Sequence, residues 1–192
     1  MKMLVGLGTC GVAAGAGATY AAIVEKTRPL DGNCKVEKTG CIGMCYREPL
    51  VELRDDDGTR WQYGQMTPDR VDRLLEEHVG KGEPIEDWLA WTSGGKGQEK
   101  AFLDRQQRIV LRNCGVIDPE RIEEYLETGG YQALRGALGR NDPEGLVSLI
   151  VESGLRGRGG AGFLTGMKWR FTRLAAGGQK YVICNADEGD PG

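Results

Sequence analysis

Short apolar runs separated by polar turns dominate the first eighty residues of the chain. Runs such as MLVGL and LVEL have the length and composition of buried strands, and DDDGT between two of them has the composition of a hairpin turn. Alanine-rich and apolar stretches at helical spacing lie between and after these runs. Strands are therefore predicted at 3–7, 34–37, 50–53 and 60–63, and helices at 11–25 and 68–79. This β-α-β-β-β-α order predicts a thioredoxin-like α/β domain and also permits another small α/β sandwich.

The second helix of this pattern has clear boundary residues. Thr67 is suited to cap it, and Pro68 is suited to its first position. His78, the single histidine, falls on the same helical face as Val71 and Leu74, so it is predicted to be a packing residue.

The second half of the chain is predicted to be helical after a linker rich in Gly, Pro and charge. Asp-Pro pairs at 118–119 and 142–143 predict helix starts, and Thr165 predicts a third. Residues 181–184 have the composition of a buried strand. The predicted domains are 1–82, a linker at 83–100, and 101–192. The chain ends directly after a loop, so we expect it to be part of a longer protein.

Composition excludes some functional classes. The 25 Lys and Arg residues nearly balance the 28 Asp and Glu residues, which gives no reason to expect a nucleic-acid partner. No run of 18 apolar residues is present, so no direct membrane insertion is predicted. Six cysteines in a chain predicted to be cytoplasmic indicate metal binding or burial rather than disulfides.

VGLGTCG, at residues 5–11, contains the spacing G-x-G-x-x-G between a predicted strand and a predicted helix. This context is typical of a dinucleotide-binding Rossmann loop, but Asp31, the candidate acidic partner, precedes the second strand instead of ending it. Strand order would also bring Cys10 close to Cys41 and Cys45 of the C-x3-C sequence CIGMC. Thiolate clusters of this kind hold iron–sulfur centres.

The segment TGCIGMCYREPLVEL resembles the second half of the motif of thioredoxin-like [2Fe-2S] ferredoxins. That family has two cysteines in the first loop, whereas this chain has only Cys10 there, and Cys34 is the only substitute. The resemblance implies a [2Fe-2S] cluster held by Cys10, Cys34, Cys41 and Cys45. The alternative is a domain that keeps the fold without the cluster.

A second glycine-rich stretch, GLRGRGGAGFLTGMKW, occupies residues 154–169. A helix precedes it, so it does not fit the Rossmann pattern, but a glycine loop that enters a helix offers backbone N–H groups to an anion. Arg156, Arg158 and Lys168 add positive charge, and aromatic residues lie nearby. These features favour a phosphate-bearing aromatic ligand; a tight surface loop is the alternative.

The acidic sequence NADEGDPG ends the chain. Its carboxylates would face the uncharged, donor-bearing parts of such a ligand, because they repel phosphates. A solvated acidic loop or a magnesium site are the alternatives.

SGLRGRGGAGFLTGMKW and YVICNADEGDPG resemble the NADH- and FMN-binding flavoprotein subunit of respiratory complex I and its relatives in soluble NAD(P)-linked hydrogenases and formate dehydrogenases. The resemblance covers about 101–192, and the N-terminal domain points to the hydrogenase and formate dehydrogenase type. It implies an α/β protein in which a thioredoxin-like domain precedes the start of an FMN/NADH-binding domain. The implied cofactor-binding residues are Gly157, Arg158, Gly159, Gly160, Ala161, Gly162, Phe163, Thr165, Gly166, Lys168, Phe171, Asn185, Asp187, Glu188 and Asp190.

Within that set the resemblance implies distinct roles. Lys168 would meet phosphate, Phe163 and Phe171 would flank the adenine of NAD(H), and Asp190 would contact the nicotinamide. The remaining acidic-loop residues would hold FMN. Leu164 departs from the family, where proline is common.

The implied function is that of an electron-input subunit, in which hydride passes from NADH to FMN and single electrons pass to iron–sulfur clusters. FMN, NAD(H) and [2Fe-2S] are the expected cofactors, and a [4Fe-4S] cluster is expected in a part that follows. The expected partners are the other subunits of an oxidoreductase complex. Alternatives are an electron-carrier or docking module and a plain Rossmann dehydrogenase that uses Gly6, Gly8 and Gly11. Cys114 and Cys184 are predicted to be packing residues.

Overall fold

The apolar run at the N-terminus forms the central strand of a five-stranded sheet. The structure is a computed structural model that describes residues 1–30, 34–94, 105–109, 111–181, 183 and 185. The sheet has the order β2-β1-β3-β4-β5. Its strands are β1 Lys2–Gly6, β2 Lys35–Thr39, β3 Val51–Arg54, β4 Arg60–Tyr63 and β5 Leu89–Thr92.

Strand directions in this sheet follow from the lengths of the connections. β1 and β2 are parallel, because a helical crossover joins them, whereas β1, β3, β4 and β5 pair antiparallel in that order. The turn between β3 and β4 closes with a hydrogen bond from the Asp55 N–H to the Thr59 carbonyl, and Gly58 takes the positive φ of 87° that the turn needs. The predicted strands are confirmed to within two residues at each end, and so is the thioredoxin-like βαβ-ββ-α order.

The crossover consists of two helices, α1 Thr9–Ala13 and α2 Ala16–Thr27. Gly15 has φ = 98° and interrupts what was predicted as one helix. After β4, α3 is a continuous helical segment made of the turns Pro68–Arg70 and Val71–Arg73 and the π-helical stretch Leu74–Gly80. Thr67 is its N-cap and Pro68 its first residue, as predicted.

The core lies between the sheet and helices α2 and α3. Its buried side chains include Met3, Val5, Ile23, Leu53 and Leu74. They come from alternate positions of the strands and from one face of each helix, which is the pattern of a sheet covered by helices.

His78 is buried in this core, as predicted. The backbone N–H of Ile85 donates to the Tyr63 hydroxyl oxygen (3.3 Å), and the Tyr63 hydroxyl and Nδ1 of His78 share a hydrogen bond (2.7 Å). Burial lowers the pKa of His78, which favours the neutral ring.

β5 lies inside the segment 83–100 that was predicted to be a linker. Leu89, Ala90 and Thr92 are buried, and the strand pairs with β4 through Trp61 and Thr92. Glycine, proline and charge on both sides of this short strand obscured it in the sequence. The domain boundaries stay a prediction.

The chain divides into two compact units, Met1–Gly129 and Gly130–Gly192. α4, Ile122–Glu127, belongs to the first unit. The second unit contains α5 Gln132–Arg140, α6 Pro143–Glu152 and α7 Thr165–Leu174.

Two predictions in the second unit have different outcomes. The Asp142 carboxylate accepts the Gly145 N–H (2.9 Å) and caps α6, as the Asp-Pro pair predicted. The predicted buried strand at 181–184 is wrong where it can be checked, because Tyr181 and Ile183 are exposed and outside any strand.

Candidate functional site

Three cysteine thiols converge where β1 and β2 end. Cys10 lies in the first turn of α1 just beyond β1, and Cys41 and Cys45 follow β2. Since the two strands are parallel, their carboxyl ends meet at one edge of the sheet. Sγ of Cys10 lies 3.5 Å from Sγ of Cys41, which lies 3.5 Å from Sγ of Cys45. The sequence-based placement of these three thiols, called the thiol triad below, is therefore confirmed.

The Cys10 thiol of the triad stays protonated unless a cation binds beside it. Burial raises the pKa of the Cys10 thiol well above its usual range, and the adjacent Cys45 and Cys41 thiols raise it further. The Gly43 N–H donates to Sγ of Cys41 (3.3 Å). A thiolate at Cys10 needs compensating positive charge, which a metal ion bound by all three sulfurs would provide.

Cys34 does not join the triad, and its inclusion in the predicted ligand set is corrected. Its side chain is only 8% exposed and packs in the apolar core. It precedes β2 while Cys41 follows the same strand, and seven residues of extended chain separate positions by roughly 20 Å. Burial also raises the pKa of the Cys34 thiol, which opposes thiolate formation there.

The glycines of VGLGTCG make room for the cysteine loop. A Cβ on Gly8 would lie 2.9 Å from Cβ of Cys41, and one on Gly11 would lie 2.5 Å from the Gly6 carbonyl oxygen. These positions are glycine because protein atoms approach them closely. The space beside this loop is thus filled by the cysteine loop, which argues against the alternative of a Rossmann site here.

Glu48 is a residue of this site that the sequence analysis missed. Its side chain is only 8% exposed, its Oε1 lies 3.9 Å from Sγ of Cys10, and its Oε2 accepts the Leu50 N–H (2.8 Å). Burial raises the pKa of this carboxyl group. A signal was available, since Glu48 is a charged residue directly before the apolar sequence PLV of a buried strand.

The second glycine-rich stretch forms a tight hairpin that leads into α7. The Gly157 N–H donates to the Phe163 carbonyl (2.8 Å), and the Thr165 N–H donates to the Leu155 carbonyl (2.9 Å). Leu164 occupies the N-cap position of α7, so Thr165 is its first residue and not its cap. Between these bonds, Gly160 and Gly162 have positive φ angles of 103° and 62°.

The tip of this hairpin is open in a way that suits a ligand. A Cβ on Gly159, Gly160 or Gly162 would meet no atom within 4 Å, so close packing does not explain these glycines. Nζ of Lys168 lies 4.0 Å from the position of a Cβ on Gly157, which places its ammonium group beside the hairpin. The hairpin therefore combines accessible backbone with a nearby positive charge.

Gly166 differs from the other glycines of the predicted nucleotide loop. A Cβ there would lie 2.5 Å from the backbone nitrogen of Val151, so this glycine allows α6 and α7 to approach each other. Its position is explained by helix packing.

Other predicted cofactor residues are exposed or lie outside the described residues. Arg158, Ala161, Phe163, Phe171 and Asn185 are exposed. Asp187, Glu188 and Asp190 lie outside the described residues, as does Cys184. Cys114 is half-buried and lines a cavity of about 250 Å³ together with Ile42 and Met44.

Comparison with known proteins places relatives on both units of the chain. Residues 150–192, which include the second glycine-rich stretch, match the family described as the Nuo51 FMN-binding domain. The F 2 subunit of the NADH-quinone oxidoreductase of Rhizobium meliloti (strain 1021) is 57% identical over 84 residues, which are 44% of this chain and 20% of that protein. The alpha subunit of the NAD-reducing hydrogenase HoxS of Cupriavidus necator is 38% identical over 157 residues, which are 80% of this chain and 23% of that protein.

Among solved structures, a thioredoxin-like [2Fe-2S] ferredoxin from Aquifex aeolicus aligns with a TM-score of 0.43 and 24% identity, over 48% of this chain and 91% of the ferredoxin. No helix in the described part of the chain combines the length and the hydrophobicity needed to span a bilayer. The chain spans about a fifth of the length of the curated relatives it matches. Over the aligned residues, the chain is therefore similar to F subunits of NADH-quinone oxidoreductases and to the alpha subunit of an NAD-reducing hydrogenase.

Proposed function

We propose that this chain forms the electron-input end of a multi-subunit NAD(P)H-dependent oxidoreductase. In this proposal the second unit contributes to a site for FMN and NAD(H), and the first unit holds an iron–sulfur cluster. When bound, FMN accepts a hydride from NADH and releases electrons singly, which is chemistry that amino-acid side chains do not supply.

The second glycine-rich stretch supports the flavin and nucleotide half of the proposal. Gly159, Gly160 and Gly162 offer backbone without side chains, and Lys168 offers a charge for phosphate. Phe163 and Phe171 present exposed rings on which an adenine can stack. Asn185, Asp187, Glu188 and Asp190 complete the proposed site as acceptors for FMN and nicotinamide.

The thiol triad supports the cluster half. Three Sγ atoms within 4.8 Å of one another, at one edge of a sheet, fit soft thiolate ligation of iron. The sequence provides the neighbouring Gly43 N–H as a donor to sulfur, which is a common way in which proteins tune such clusters.

The single observation that carries the function is the open, cationic hairpin inside the segment that matches an FMN-binding domain family. The partners are proposed to be the iron–sulfur and catalytic subunits of the complex, and the compartment is proposed to be the cytoplasm.

The test uses the intact native protein that carries this sequence. Lys168→Ala should lower the affinity for NADH or FMN about 10- to 150-fold, since hydrogen bonds from charged groups contribute about 1.5–3 kcal/mol. Lys180→Ala is the matched control, because its ammonium group bonds the Ala175 and Gly177 carbonyls beyond the other end of α7. Absence of flavin from the native protein, or wild-type affinity in Lys168→Ala, would overturn the proposal.

A second candidate function is a ferredoxin-like docking module without electron transfer through the first unit. The observation that favours it is that only three thiols converge among the described residues, where the ferredoxin pattern supplies four. A comparison of the iron content of the intact protein with that of its Cys41→Ser variant decides between the two, since a docking module would lose no iron.

A further inference from the structure

A [2Fe-2S] cluster needs four protein ligands, and the thiol triad supplies three. Cys34 lies in the core at the far end of β2. His78, the single histidine, is hydrogen-bonded to Tyr63 in the core. Neither residue can therefore complete the set.

Glu48 is a buried acidic residue whose carboxylate lies beside the thiol triad. Its Oε1 lies 3.9 Å from Sγ of Cys10, and its Oε2 accepts the hydrogen bond that the Leu50 N–H donates. In the described part of the chain, no lysine or arginine forms an ion pair with it. A buried carboxylate without a counter-charge is costly, whereas a carboxylate that binds a metal is compensated.

The first glycine loop is shaped around this carboxylate as well as around the cysteines. A Cβ on Gly11 would lie 3.0 Å from Oε2 of Glu48, and one on Gly6 would lie 3.5 Å from both carboxylate oxygens. A side chain at Gly11 would therefore displace the carboxylate, whereas a Cβ at Gly6 would only contact it. The glycines of VGLGTCG, whose spacing resembles a nucleotide loop, thus leave room for the Glu48 carboxylate beside the Cys10 thiol.

The distance between Glu48 and Cys10 is that of two ligands on one metal atom. A tetrahedral metal with bonds of about 2.3 Å to its ligands holds neighbouring ligand atoms about 3.8 Å apart. Cys10 and Glu48 are separated by 3.9 Å, while Cys41 lies 3.5 Å from both Cys10 and Cys45. Oε1 of Glu48 is therefore spaced to bind the same metal atom as Sγ of Cys10.

We propose that Glu48, through Oε1, is the fourth ligand of an iron–sulfur cluster whose other ligands are Cys10, Cys41 and Cys45. This inference rests on the cluster half of the proposed function. A carboxylate carries the same charge as a thiolate, so the charge of the cluster is unchanged, but it is a harder donor. The two irons would then have different ligand sets, which gives the cluster a distinct spectroscopic signature.

The test reconstitutes the full chain anaerobically with ferrous iron and sulfide, then measures iron and sulfide per chain, visible absorbance and the EPR spectrum of the reduced protein. Wild type should hold about two irons per chain. Glu48→Gln keeps the shape of the side chain and should lose most of the iron, since even outer-shell changes cost about 10- to 100-fold in metal affinity. Glu48→Cys should retain the iron and show shifted EPR g-values and stronger sulfur-to-iron absorbance.

Two variants serve as controls. Glu52→Gln removes another buried carboxylate, one paired with Arg60, and should keep the wild-type spectrum. Cys114→Ala removes the half-buried thiol that lines the cavity beside Ile42 and should also keep it. Far-UV circular dichroism checks that each variant is folded, and the iron content of Glu48→Cys shows that position 48 tolerates substitution.

The outcomes separate two failures. A wild-type chain that takes up no iron and sulfide overturns the cluster half of the proposed function and this inference with it. A wild-type cluster that is unchanged in Glu48→Gln overturns only the role of Glu48. Loss of the cluster in Cys114→Ala together with its retention in Glu48→Gln would assign the fourth position to that thiol instead.

Discussion

At the scale of single residues, Gly8 controls the position of the thiol triad. Alanine can adopt the backbone conformation of Gly8, with φ = −65° and ψ = 169°, so a substitution there acts through steric overlap and not through backbone strain. An alanine Cβ would lie 2.9 Å from Cβ and 3.0 Å from the backbone nitrogen of Cys41. Gly8→Ala should therefore displace Cys41, abolish iron binding, and lower the free energy of unfolding by about 1–3 kcal/mol.

Iron content after reconstitution and urea unfolding measure these two effects. Gly17→Ala is the matched control, because a Cβ there meets nothing within 4 Å and the residue lies inside α2. It should keep the iron and raise the free energy of unfolding by up to about 1 kcal/mol. Normal iron binding in Gly8→Ala would show that the close approach of these two residues does not position the thiols.

His78 makes stability depend on pH in a defined direction. Burial lowers its pKa below the ordinary value near 6.5, so the unfolded chain binds the proton more readily than the folded chain. Stability is therefore complete above about pH 6.5 and falls as the pH decreases below it, by at most about 1.4 kcal/mol per pH unit. In the protonated ring, Nδ1 carries a proton and can only donate in its hydrogen bond with the Tyr63 hydroxyl.

Urea unfolding at pH 7.5 and pH 5.5 tests this dependence. His78→Gln removes the titrating group and keeps a hydrogen-bond acceptor near Tyr63, so its free energy of unfolding should change less between the two pH values than that of wild type. An equal change in both proteins would assign the pH dependence to other groups.

At the scale of elements, the glycines around α7 should act in two different ways. Gly166 lies against Val151 of α6, whereas Gly159 at the hairpin tip meets nothing within 4 Å. Gly166→Ala should separate α6 from α7, at a cost of about 1–3 kcal/mol, even without a cofactor. Gly159→Ala should leave the cofactor-free protein unchanged and weaken FMN or NADH binding.

Hydrogen exchange of the α6 and α7 amides in the cofactor-free protein measures the first effect, and cofactor titration measures the second. Unchanged exchange in Gly166→Ala would contradict the packing role of this residue. Unchanged cofactor affinity in Gly159→Ala would contradict the proposed ligand site at the hairpin.

Elements with regular spacing could be predicted from the sequence, and elements defined by distant contacts could not. Short apolar runs bounded by polar turns predicted β1 to β4, and helical spacing after the Thr67–Pro68 start predicted α3. β5 was missed because Leu89 and Ala90 are buried by β4 and the core, and four residues are too few to show a period.

The candidate site shows the same division. Strand order was enough to bring Cys10 to Cys41 and Cys45, because the carboxyl ends of parallel strands share an edge. The predicted strand at 34–37 already put Cys34 before β2 and Cys41 after it, so the separation of these two cysteines could be predicted. The position of Glu48 depends on the path of the chain after Cys45, which cysteine spacing does not encode.

At the scale of the whole molecule, the two candidate sites lie in separate compact units. The thiol triad and Glu48 belong to Met1–Gly129, and the hairpin with Lys168 belongs to Gly130–Gly192. Each site uses hydrogen bonds and close contacts within its own unit, as the Gly43–Cys41 and Gly157–Phe163 bonds illustrate. Removal of one cofactor should therefore leave the other in place.

The intact native protein tests this independence. Cys41→Ser should lose iron from the first unit, because a thiolate ligand is replaced by a poor one, and should keep its flavin. Lys168→Ala should weaken flavin or NADH binding and keep that iron, as measured by iron analysis and flavin fluorescence after denaturation. If Cys41→Ser also lost flavin while remaining folded, the two sites would be energetically coupled. That result would contradict the independent binding of one cofactor by each unit. Retention of each cofactor in the variant of the other site would show that the two sites bind their cofactors separately. Under the proposed function, Cys41→Ser should then fail in electron transfer after flavin reduction and not in flavin reduction itself.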